Sequence, residues 1–206
     1  MKWIVLMMAW VVAMPLWAAD LETELAAIQH RWAEIQYQLP EDQQEKAFKD
    51  LVTDVEGFVA QYPDRAEPLI WQGIVLSTYA GAKGGLGALG LVKDARQALE
   101  AALAIDESAL DGSAYTSLGS LYYQVPGWPL SFGDDEQAEK YLQKALAINP
   151  DGIDPNYFFG DFLLEQGKKS RAKVYLSNAL RASPRPGREI ADAGRREEIA
   201  ERLGKL

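Results

Sequence analysis

The glycines Gly85, Gly87 and Gly90 are the first candidates for chemistry. A G-x-G-x-x-G run that opens a helix can hold a phosphate on the free backbone N–H groups of the helix N-terminus. That fingerprint works behind a strand in a βαβ unit, whereas the residues before it here read as helix, and no Gly-Lys-Ser/Thr ending follows. Residues 79–90 are therefore expected to form a flexible or close-packed loop, with an anion or small-ligand contact as the alternative. His30 is the single histidine and stands one turn from Glu34. Two groups do not make a metal site, which takes three or four ligands. No nucleophile has a histidine beside it, cysteine is absent, and the carboxylates fall on polar helix faces. No catalytic residue, metal or cofactor is expected, and the chain is read as a non-enzyme.

The elements that would carry such residues are helical. Ala, Leu, Glu, Gln and Lys dominate outside the Gly-rich stretches, β-branched residues are sparse, and no alternating strand pattern occurs, so the fold class is all-α. A net charge of -9 argues against a nucleic-acid partner. Its distribution is uneven: residues 20–164 carry 9 Lys and Arg against 24 Asp and Glu, and residues 165–206 carry 11 against 6. A basic end on an acidic body would steer an acidic partner or favour head-to-tail self-association. The plainer reading is that Lys168, Lys169, Arg171, Lys173 and Arg181 solvate the last helix pair.

The segment from Asn156 to Pro184 shows how the helices meet. Gly160 lies inside one helix, at a cost of about 1 kcal/mol relative to alanine, and Ala172, Leu176 and Ala179 mark the next, with Pro184 behind it. Small residues at these positions let two antiparallel helices approach closely. Ala138, Leu142, Ala145 and Pro150 repeat the second helix 34 residues earlier, and Gly119 repeats the first. Gly73, Ala95, Leu99 and Ala102 fit once more.

A 34-residue period with this Gly/Ala/Pro lattice resembles the tetratricopeptide repeat (TPR) family, most clearly over residues 138–184. The resemblance implies a right-handed solenoid of antiparallel helix pairs whose first helices line a concave groove for peptides or proteins. It places Ile70, Ile74, Ser77 and Thr78, then Thr116, Ser120, Tyr123 and Gln124, then Tyr157, Asp161 and Leu164 on that groove. The tyrosines would be its anchors. It implies a scaffold with a protein or peptide partner. An accessory subunit of a TRAP-type solute-uptake system, or another small-ligand-binding helical-repeat protein, is the alternative.

Around this core the chain divides simply. Lys2, an apolar run from Trp3 to Trp17, and Ala18 and Ala19 read as a secretory signal peptide over residues 1–19, which implies a periplasmic protein. An uncleaved inner-membrane anchor is the alternative, and would be the only route to a membrane. Residues 20–64 read as a divergent helix pair or cap, with Trp32 and Phe48 among its apolar positions, and residues 65–184 as the repeats. Two enlargements, at 79–90 and 125–135, fall between the helices of a pair, where insertions often bind. In the second, Trp128 and Phe132 are candidate contacts, and Asp134 is placed to cap the following helix. Residues 185–206 read as a solvating C-terminal cap, with Gly194 a weak point in its helix.

Overall fold

The computed structural model describes residues 16–206, with side chains from Asp20 onward. Nine α-helices account for most of them: α1 (Leu16–Gln38), α2 (Glu41–Gln61), α3 (Ala66–Lys83), α4 (Ala88–Ile105), α5 (Ala109–Gln124), α6 (Asp135–Ile148), α7 (Ile153–Glu165), α8 (Lys169–Arg181) and α9 (Glu189–Gly204). No strand occurs among the described residues. The expected signal segment lies outside the described residues up to position 15. No described helix is long and apolar enough to cross a membrane.

The helices pack as consecutive pairs, α3 with α4, α5 with α6 and α7 with α8, and the first helices also touch one another in order. The lattice read from the sequence sets each pair. A Cβ on Gly119 would stand 2.5 Å from Leu142 Cγ, and one on Gly160 would stand 2.8 Å from Leu176 Cγ. Gly73 meets Leu99 in the same way. Ala95, Ala102, Ala138, Ala145, Ala172 and Ala179 on the second helices are all fully buried, and their small side chains let the paired helices approach closely around these glycine–leucine contacts. Pro150 and Pro184 stand just beyond the ends of α6 and α8, where proline cannot continue a helix.

Both enlargements are more ordered than loops. Most of the first is helix, since α3 runs on to Lys83 and α4 begins at Ala88, leaving four residues to turn. Gly84 and Gly85 make that turn at φ 63° and 61°, which glycine adopts without a Cβ clash. The second folds on itself: Gly133 N donates to Pro126 O at 3.0 Å, and Asp134 N to Tyr122 O at 2.8 Å. The Asp134 carboxylate then caps α6, accepting from Glu136 N at 2.9 Å and Gln137 N at 3.1 Å.

The two ends of the chain meet. α9 packs not only on α8 and α7 but also on α1, so the row of helix pairs closes into a ring. Gly194 is the reason the helices fit. A Cβ there would lie 2.5 Å from Cε1 of the Tyr37 ring and closer still to its base, so this glycine is the contact point of α9 with α1. The expectation of a weak, solvating cap is thus corrected: α9 buries Ala191, Asp192, Arg195 and Ile199.

Candidate functional site

Closing the ring curls the face that an open solenoid would present as a groove around a central hollow that stays partly open. The result is a cavity of about 630 Å³ walled by α1, α3, α5, α7 and α9, within the usual size range for small-molecule sites. Three kinds of surface line it. Trp32 and Trp71 form an aromatic wall, ring centroids 5.8 Å apart and edge to face, with the Trp32 indole N–H donating to Thr78 Oγ1 at 3.1 Å. Thr116, Ser117 and Ser120 form a strip of hydroxyls along α5. The C-terminal side is charged, with Asp154 from α7 facing Arg185, Arg188, Arg195 and Glu198.

The charged side is a nearly complete ion-pair network. Asp154 accepts from Arg195 Nε at 2.9 Å and from Arg185 Nη1 at 2.6 Å. Burial opposes its ionisation, but Arg195 and Arg185 more than offset this and hold the carboxyl at about 2. Arg185 also reaches the buried Asp192 at 2.6 Å, Arg196 stands 3.8 Å from Asp192, and Arg195 pairs with Glu198. The Arg195 guanidinium lies 4.4 Å from the Tyr157 ring centroid and 4.7 Å from that of Phe158. Burial pushes the Tyr37 hydroxyl, on the α1 side, well above its ordinary pKa, so it stays protonated.

One cation of the network has no carboxylate. Arg188, at the entry to α9, makes no ion pair with any described residue and lies over the Trp71 ring at 5.2 Å. Its Nε is buried without a hydrogen-bond partner among the described residues, and so is the indole N–H of Trp71. Burial, and next the neighbouring Arg185, lower its pKa.

The groove candidates divide between the cavity and the packing around it. Ile74, Ser77, Thr78, Thr116, Ser120, Gln124 and Tyr157 line the cavity. Ile70 does not, because its side chain is fully buried in the core beneath α3 and α4. Tyr123 and Asp161 join α5 to α7 instead: the Tyr123 hydroxyl donates to Asp161 Oδ2 at 2.9 Å, and Arg202 of α9 approaches Asp161 Oδ1 at 2.8 Å. Leu164 packs half-buried in the same layer. Of the loop candidates, Trp128 is 89% exposed, whereas Phe132 packs on Tyr122 at 5.2 Å beneath the Arg96 guanidinium at 4.4 Å. The arginines of the cavity were missed in the sequence because they sit in a segment read as a polar cap. The signal available was their density: Arg185, Arg188, Arg195 and Arg196 fall within 12 residues, around Asp192. The described residues hold no cluster of His, Cys, Asp and Glu fit for a metal.

Residues 130–193, from the second loop through α6, α7 and α8 into α9, match the family model of the tetratricopeptide repeat. Over this stretch the chain is similar to the tetratricopeptide repeat, and the consecutive helix pairs of the all-α fold agree with that family. Tetratricopeptide repeats are protein–protein interaction scaffolds, typically non-catalytic, and this chain is a scaffold of that general kind. No curated protein matches it.

Proposed function

We propose that this protein is a periplasmic scaffold that takes a small ligand inside its helix ring and meets its protein partner from outside. The contact of α1 with α9 carries the reading. It turns the concave face, where an open solenoid would accept an extended peptide, into a half-open cavity of about 630 Å³ ringed by helices. Unpartnered polar groups point to an occupant. The side chains of Thr116, Ser117 and Ser120 make no hydrogen bond with described residues, although all three line the wall. A periplasmic setting rests on the N-terminal run of Lys2, the apolar stretch and Ala18–Ala19. An accessory role in solute uptake is a form of the same reading, and a cavity ringed by helices favours it over an extended peptide groove.

The test fills the cavity. Ser117→Trp places an indole on its wall from a half-buried helical position. Native mass spectrometry of gently purified protein should show a small bound mass on wild type that Ser117→Trp lacks. Peptide or protein capture as the only binding found, unchanged by Ser117→Trp, would move the site to the outer surface and overturn the reading.

A further inference from the structure

Resting on that reading of the cavity, we infer that its ligand is a small organic monocarboxylate, with the carboxylate on Arg188 and the body between Trp71 and the hydroxyl strip of α5. The charge count on the C-terminal wall leads there. Arg185, Arg195 and Arg196 are matched by Asp154, Asp192 and Glu198. Arg188 is left over, the one arginine of the cavity wall without an ion pair among the described residues. Glu41, the remaining carboxylate on the cavity wall, is solvent-exposed at the start of α2 and makes no ion pair with Arg188.

Geometry then narrows the anion. The guanidinium lies over the face of Trp71, 5.2 Å from the centroid, an attraction that helps hold it in place, and its two terminal nitrogens make no hydrogen bond with a described residue. A planar fork of donors fits a carboxylate through two parallel hydrogen bonds. A phosphate dianion would bring a second charge toward Asp154 and Glu198, which line the same wall. The rest of the ligand would face the Trp71 and Trp32 rings and the hydroxyls of Thr116, Ser117 and Ser120. Such a wall suits a body with both an apolar and a hydroxylated side.

Calorimetric titration of the full chain with matched pairs tests this: phenylacetate against phenylacetamide, gluconate against gluconamide, and inorganic phosphate. At least one carboxylate should bind wild type about tenfold or more tighter than its amide, the usual effect of a charge-assisted hydrogen bond. Arg188→Gln should abolish that preference. The exposed Arg181→Gln should keep it. Arg188 holds no ion pair, so Arg188→Gln should melt with wild type; if it does not fold, Arg188→Lys, with a weakened preference, is the substitute. Equal binding of a carboxylate and its amide would overturn the carboxylate while leaving the cavity reading intact. Tighter binding of phosphate would replace the ligand class. If neither the carboxylates nor phosphate bind wild type, the carboxylate proposal falls, and the bound mass lost or kept in Ser117→Trp decides the cavity reading separately.

Discussion

Gly194→Ala is the sharpest probe of ring closure, because the same substitution at another helical glycine has the opposite sign. At Gly57, in the middle of α2, an added Cβ meets nothing within 4 Å, so Gly57→Ala should gain about 1 kcal/mol from helix propensity. At Gly194 the Cβ would press on the base of the Tyr37 ring, close to where it joins the chain and cannot swing away. Overpacking of this kind costs about 1–3 kcal/mol. After the propensity gain the net effect runs from about neutral to 2 kcal/mol destabilising. The two variants should therefore differ by about 1–3 kcal/mol, or about 2–12 °C in melting midpoint for a chain of this size. Urea unfolding and thermal scans would measure the difference. Tyr37→Ala should then rescue Gly194→Ala in a double-mutant cycle, since the clash is with that ring. A Gly194→Ala variant as stabilised as Gly57→Ala, or two substitutions that simply add, would refute the close approach of α9 to α1.

The helix-pair contacts allow a parallel test, in which Gly160→Leu or Ala179→Leu should each cost about 1–3 kcal/mol by urea unfolding, since a Cβ at Gly160 already meets Leu176 and Ala179 is fully buried. Tyr123→Phe removes the hydroxyl that donates to Asp161 at 2.9 Å and should lower stability by about 1–2 kcal/mol, while carboxylate binding in the cavity stays at the wild-type level. Asp154 ionises at about 2 in the folded chain against an ordinary 3.8. A depressed pKa gives stability that is present above the ordinary value and lost as pH falls through the folded one. Asp154→Asn should therefore destabilise by roughly 2 kcal/mol at neutral pH, with the gap to wild type narrowing between about pH 4 and 2 in acid unfolding. Trp128, 89% exposed, should tolerate Trp128→Ser within about 0.5 kcal/mol in melting experiments.

What could be read in the sequence was what close packing demands. Gly73, Gly119 and Gly160 each stand opposite a leucine of the paired helix, and only glycine fits there, so residue type alone reports the contact. The signal weakens where a position has two uses. Tyr123 and Asp161 flank the helix-contact glycines in a way that suits a groove, yet contacts between successive first helices take them into the α5–α7 layer. Helical spacing does not distinguish a residue facing the cavity from one facing the next repeat. Ring closure was out of reach for another reason. It depends on the curvature summed over all the pairs, and its sole local trace, Gly194, reads in isolation as a helix-weakening residue. The arginines of α9 were hidden likewise, because their acidic partner Asp154 lies some 40 positions upstream.

A row of repeats with free ends has nearest-neighbour cooperativity, and its terminal units fray independently. Here the first helix is the neighbour of the last, so neither end can peel away without breaking the seam between Tyr37 and Gly194. Elsewhere the packed helices are neighbours in the chain or two apart, with shorter segments to close, and should assemble earlier. The α1–α9 seam joins residues more than 150 positions apart and carries the largest chain-entropy term of any contact in the ring. It is thus the last contact to form and the first to yield. Parting it would turn the ring into a split washer with its repeats intact and widen the mouth of the cavity. Amide exchange along the facing sides of α1 and α9 would then be faster than in α5 and α6, and would slow when the cavity is occupied.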